Sequence, residues 1–195
     1  MMRWLALVVV SAGVLVVACV SDAVDTTCPE YCSFVTAECK DADAQYVLKP
    51  GTTDQMPACL AICMHFPPAR TAGSNSIACR KTAASSASEI KDMKAHHARC
   101  MDAGPFSEMC GGTVANFCRV EQALCPGSPF ATEAACAAAL PMVMKDAFDT
   151  MGINDLGVPD QSSKLCRFYH VEKALEDPGL HCPHTNSPVS PICLN

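Results

Sequence analysis

Residues 28–63 read CPEYCSFVTAECKDADAQYVLKPGTTDQMPACLAIC, a segment that opens on Cys28-x3-Cys32 and closes on Cys59-x3-Cys63. Residues four apart lie on one face of a helix. Each pair therefore predicts a helix with two cysteines on a single stripe. Two such helices packed antiparallel bring outer to inner, which predicts Cys28–Cys63 and Cys32–Cys59. The arrangement is a helical hairpin closed by two bridges.

The same cysteine pattern returns further along the chain. Cys32 and Cys39 are seven apart, as are Cys118 and Cys125; Cys79-Arg80 and Cys166-Arg167 share a dipeptide; the last gaps, Cys100 to Cys110 and Cys182 to Cys193, are ten and eleven. Six cysteines recur in order, so the chain divides into two tandem modules, residues 25–112 and 113–195, joined near Gly111-Gly112. Repetition of a supersecondary unit at a fixed period is the mark of a modular architecture. Cys28 and Cys63 alone have no counterparts, their places being taken by Val114 and Leu140. Two cysteines missing together are the two halves of one bond. By the repeat, Cys118–Cys136 matches Cys32–Cys59. The remaining four cysteines per module allow three pairings. Proximity along the chain suggests Cys39–Cys79 with Cys100–Cys110, and correspondingly Cys125–Cys166 with Cys182–Cys193.

No alternating strand pattern of any length is present, so the expected fold class is all-α, small and disulfide-rich. It comprises two helical-hairpin modules with irregular C-terminal straps. Thr27, with Pro29 and Glu30 in the first turn, opens a helix predicted to run to about Val47 before Pro50-Gly51. Asp54 opens a second that ends at Pro67-Pro68, and Asn75 or Ser76 a third over 76–101. In the second module helices are expected over 113–125, 132–150 and 162–176, with Pro141 kinking the middle one. The proline-rich tail from Pro178 reads as a strap held by Cys182 and Cys193.

The N-terminus carries a different message. Met1-Met2-Arg3 precedes fifteen apolar or small residues, WLALVVVSAGVLVVA at 4–18, a length suited to a signal-peptide core. The core ends in Val16-Val17-Ala18-Cys19, which resembles the lipobox of bacterial lipoproteins. Residues 1–18 are thus expected to be a signal peptide and 19–27 a lipid-modified cysteine and tether. Several acyl chains on Cys19 would anchor the chain where one would not. The cysteine parity agrees: of fifteen, Cys19 is the odd one outside the modules. A chain with so many cysteines belongs in an oxidising compartment. Val20-Ser21 follow Cys19 with no Asp directly after it, which favours the outer membrane over the inner. Without Arg3, thirteen basic residues face twenty acidic ones, a net charge of −7 with no basic run. Such a chain is unsuited to nucleic acid, whose binding rests on phosphate contacts.

Cys166-Arg167-Phe168-Tyr169-His170, then Asp177-Pro178 and His181-Cys182-Pro183-His184, resembles the end of a cysteine-rich module. Such modules occur, often in tandem, in lipoproteins of predatory soil bacteria. The likeness covers most of the chain through cysteine spacing and is specific over 166–184. Ser162-Ser163 and Thr185 to Pro191 depart from the group's pattern. The resemblance implies architecture and an envelope location, with no activity attached.

The residues able to carry chemistry each have a plainer role beside them. His181 and His184 flank Cys182 with His170 one helix earlier, but a zinc site built on thiolates needs free cysteines. Aligned on the cysteines, the first module has Ala83 and Arg99 opposite His170 and His181, so these read as structural surface histidines. Met93, His97 and Met101 fall on one helical stripe. Thioether with imidazole suits Cu(I), although a methionine face also suits a core. Neither C-x-x-C, G-x-S-x-G, H-E-x-x-H nor a phosphate-binding glycine loop occurs. The chain is therefore expected not to be an enzyme and to need no cofactor. Its expected role is that of a cell-envelope lipoprotein, structural or binding an envelope or extracellular protein. The alternative is a copper- or metal-binding protein using Met93, His97 and Met101.

Overall fold

Thr27 accepts the Glu30 N–H at 3.4 Å and so starts the first helix, with Pro29 in its opening turn. In the computed structural model, which describes residues 26–47, 51–67, 76–140, 163–185 and 193, every regular element is helical. The first module holds α1 (Cys28–Glu38), a 3-10 turn (Asp41–Asp43), α2 (Met56–Cys63), α3 (Ile77–Ala87) and α4 (Met93–Ala103). The second holds α5 (Thr113–Leu124), α6 (Glu133–Ala139), α7 (Ser163–Lys173) and α8 (Pro178–Thr185). The fold is a small, disulfide-rich, all-α one. Among the described residues no helix is long and apolar enough to cross a membrane.

Each module is built around its first helix. In the first, α1 packs on α2, α3 and α4; in the second, α5 packs on α6, α7 and α8. The hairpin bridges form as the spacing predicts: Cys28–Cys63, Cys32–Cys59 and Cys118–Cys136. Val114 and Leu140 join the same apolar core, Leu140 fully buried.

The other four bridges differ from expectation. Cys39 pairs with Cys100 and Cys79 with Cys110; Cys125 pairs with Cys182 and Cys166 with Cys193. The expected Cys39–Cys79, Cys100–Cys110, Cys125–Cys166 and Cys182–Cys193 are therefore wrong, and wrong in the same way in both modules. The cause is a helix break. Residues 76–101 form two helices in place of one, separated at Ser88–Asp92. Ser85, Ser86 and Ser88 turn their hydroxyls back onto the carbonyls of Thr82, Ala83 and Ser85, a competition that weakens a helix from within. Asp92 then accepts the Ala95 N–H at 2.8 Å and starts α4 in a new direction. The returning helix carries Cys100 to Cys39 at the end of α1.

Asp177 does the same for the second module, accepting the Leu180 N–H at 3.1 Å. The expected strap is consequently helix α8 over its first part, with Pro178 as its first residue, where a missing N–H costs nothing. α1 also ends earlier than expected, because Cys39 leaves the helix in an extended conformation. The chain beyond it is held by Gln55, whose Oε1 accepts the Gln45 and Tyr46 N–H groups while its Nε2 donates to the Cys39 carbonyl. The middle helix of the second module is seen as α6; Pro141 and the rest of 141–150 lie outside the described residues.

Two buried arginines occupy matching places. Arg80 donates to the carbonyls of Ser76, Gly104 and Pro105 and lies 4.2 Å from the centre of the Phe66 ring. Arg167 donates to the Thr185 carbonyl at 2.8 Å. Each thus ties the third helix of its module to the end of the fourth, satisfying carbonyls that a helix leaves open. Burial pulls both guanidinium pKa values down.

The modules share one apolar core. Phe106 stacks on Phe168 at 4.1 Å between centroids, with Phe117 tilted against both. Gly111 and Gly112 turn the chain between modules at φ 123° and 86°, a region that favours glycine. A polar contact crosses the same boundary: the Val47 N–H donates to Glu172 Oε2 at 2.7 Å. Glu172 is fully buried, and burial pushes its carboxyl up to about 8, offset in part by that N–H.

A carboxyl raised on folding binds its proton more tightly in the folded chain, so stability falls as pH rises from about 5 to 9. Glu172→Gln keeps an acceptor for Val47 and removes the charge. Urea titrations under non-reducing conditions should show the variant gaining on the wild type by about 4 kcal/mol across that interval. A constant difference from pH 5 to 9 would mean that Glu172 is not held protonated.

Candidate functional site

The α7–α8 hairpin sets three histidines facing one another. His181 and His184 are three apart on α8, hence on one face, and His170 projects from α7 toward them. The His170 and His181 Nδ1 atoms are 2.9 Å apart, and those of His170 and His184 are 3.4 Å apart. One nitrogen from each ring lies within 4.8 Å of the other two. His170 is buried and packs edge-on against Tyr169, while His181 and His184 are half-buried at the rim. Cys182 falls between the two rim histidines in sequence, and its bridge to Cys125 fixes α8 against the end of α5.

The structure buries His170, so the reading of all three as structural surface histidines does not hold for that residue. Their electrostatics follow from the geometry. Burial, then the adjacent rings of His184 and His181, push His170 down to about 4. Burial also lowers His181, helped by His184, and lowers His184. Each shift favours the neutral imidazole over the charged one. Aligning Cys79 with Cys166 and Cys100 with Cys182 puts Ala83, Arg99 and Asp102 in the corresponding places of the first module. There Arg99 Nη1 approaches Asp102 Oδ2 at 3.4 Å as an ion pair. The second module has three imidazoles in positions where the first has a methyl group and a pair of opposite charges.

Two other clusters hold fewer usable donors. Cys166 and Cys193 lie beside His170, and Cys100 lies beside His96 and Asp43, but these cysteines are bridged and have no thiolate to offer. Asp43 instead clamps the start of α4 to the 3-10 turn, its two oxygens 2.8 Å from His96 Nδ1 and 2.7 Å from His97 Nδ1.

The Met93, His97 and Met101 stripe is not drawn together into a site. Met93 is 86% exposed, whereas His97 and Met101 line a cavity of about 320 Å³ with Lys94, Phe106 and Glu108. His97 already has the Asp43 carboxylate as partner. Cys19 and residues 1–18, the expected signal peptide, lie outside the described residues. The signal that could have revealed the histidine site is His181-x2-His184 itself, an i,i+3 pair on a helix. No family model, curated protein or solved structure matches this chain.

A histidine depressed on folding must be charged in the unfolded chain first, so stability is lost as pH falls from about 6.5 to 4. Chelator-treated wild type should therefore lose stability relative to His170→Gln over that range in urea titrations. Parallel curves would show that His170 does not sit neutral among the other two rings.

Proposed function

We propose that the chain is a non-catalytic lipoprotein of the cell envelope, a rigid stapled scaffold tethered through Cys19 that meets an envelope or extracellular protein. The observation that carries this reading is the division of the cysteines. Seven bridges account for fourteen of the fifteen, and the remaining one is Cys19, directly after Val16-Val17-Ala18. A chain so thoroughly cross-linked suits an oxidising compartment. The expected acyl chains would add membrane affinity at about 0.8 kcal/mol per buried methylene. The short segment 20–27, VSDAVDTT, would hold the first module close to the surface.

The rigidity supports a scaffold role. Bridges closing loops of this size stabilise by about 3–4 kcal/mol each through the unfolded chain. The central helix of each module is pinned by its bridges, α1 through Cys28, Cys32 and Cys39, and α5 through Cys118 at its middle and Cys125 at its end.

Radiolabelled palmitate fed to cells producing the full chain should enter the wild type and be absent from Cys19→Ala, which should also leave the membrane fraction. Equal labelling of both proteins would refute the anchor. Labelling with no membrane association would refute the tethered scaffold.

A further inference from the structure

We propose that His170, His181 and His184 form a binding site for a divalent transition-metal ion, Zn2+ foremost, with one coordination position left to solvent. The spacing of the donors carries the proposal. Two nitrogens on a tetrahedral zinc, each about 2.0–2.1 Å from the metal, lie roughly 3.3 Å from one another. The His170–His181 and His170–His184 nitrogens stand 2.9 and 3.4 Å apart, and all three lie within 4.8 Å. Small rotations of the imidazoles would place an ion between them. Coordination through Nδ1 leaves each ring's N–H on Nε2.

The donor type narrows the ion. Three imidazoles with no thiolate or carboxylate among the three converging donors suit zinc, copper or nickel over calcium or magnesium, which take oxygen. Their placement narrows it further. Two donors three apart on α8 and a third facing them from α7 make a tripod, which occupies three corners of a tetrahedron. Tetragonal Cu(II) needs its ligands near one plane. His170 forms the buried base of the tripod, and the half-exposed rings of His181 and His184 leave the outer side open. Three protein ligands with a free fourth position is the form zinc takes where it binds an exchangeable partner.

The scaffold is fitted to hold such a tripod. Cys125–Cys182 fixes the middle of the His181–His184 turn, and Arg167 fixes the end of α8 through the Thr185 carbonyl. Little reorganisation is left for the metal to impose. The site is confined to the second module, since Ala83, Arg99 and Asp102 stand in its place in the first. It does not depend on the lipid anchor.

The test uses the full chain, oxidised, detergent-solubilised and stripped with chelator, titrated with Zn2+ by calorimetry and with Co2+ by visible absorption. One ion per chain is expected, with the intense Co2+ bands of tetrahedral coordination. His181→Ala/His184→Ala should weaken binding at least about 100-fold, beyond what loss of an outer-shell partner does. His96→Ala/His97→Ala and Met93→Ala/Met101→Ala should bind as the wild type does. Should the alanine pair fail to fold, His181→Arg/His184→Asp installs the ion pair that the first module already carries there. In the wild type, Zn2+ should also protect the three histidines from acylation by diethyl pyrocarbonate. No saturable binding, binding unchanged in either replacement of His181 and His184, or loss on changing His96 and His97 overturns the proposal.

Discussion

The bridge from the end of each module's first helix to its returning fourth helix, Cys39–Cys100 and Cys125–Cys182, is the constraint on which the remaining geometry hangs. Each closes a loop of about sixty residues, which limits the unfolded chain by about 4 kcal/mol. More important is what it positions. With the fourth helix pinned to the first, the third is trapped between them, and Arg80 or Arg167 can reach the carbonyls beyond the fourth. In the second module the same bond holds Cys182, between His181 and His184 in sequence, so the link that builds the fold also fixes the helix that carries those imidazoles.

How far this was legible from residues alone depended on how local the cause was. The hairpin bridges follow from i,i+4 spacing, a property of one helix, and Cys28–Cys63, Cys32–Cys59 and Cys118–Cys136 were readable for that reason. The crossed bridges depend on where α4 and α8 return, and that depends on the break at Ser88–Asp92. The composition from Thr82 to Ser88 looks helical by itself. Only the serine hydroxyls turning inward, together with Asp92 capping a new start, end α3. The histidines divide in the same manner. His181 and His184 share a face by spacing, whereas the arrival of His170 needs the α7–α8 crossing.

The modules agree in backbone and disagree in what fills it. Tyr31 and Phe117 precede equivalent cysteines and both are buried, Tyr31 donating to the Ala103 carbonyl and accepting from Tyr46. Val35 and Glu121 are likewise equivalent and buried, with Ser128 donating to the Glu121 carboxylate at 3.0 Å. Ser85 of the first module answers to Glu172 of the second, which reaches across to Val47. The first module keeps an extra bridge and a mostly apolar interior. The second replaces that bridge with Val114 and Leu140 and places polar groups in matching slots. The two modules are copies of one frame in cysteine order and bridge pattern, and the copy with fewer bonds carries the three converging histidines.

The order of the bridges along the chain has a consequence for how the molecule must be made. Cys32–Cys59 nests within Cys28–Cys63, but Cys39–Cys100 crosses Cys79–Cys110, and Cys125–Cys182 crosses Cys166–Cys193. A chain emerging from its N-terminus offers Cys79 to Cys39 before Cys100 exists. Oxidation in order of appearance therefore makes the wrong bonds. Reaching the native set requires thiol–disulfide exchange through mixed disulfides, or a delay until α4 and α8 have turned back. The topology makes the native set depend on exchange or on timing, and not merely on an oxidant.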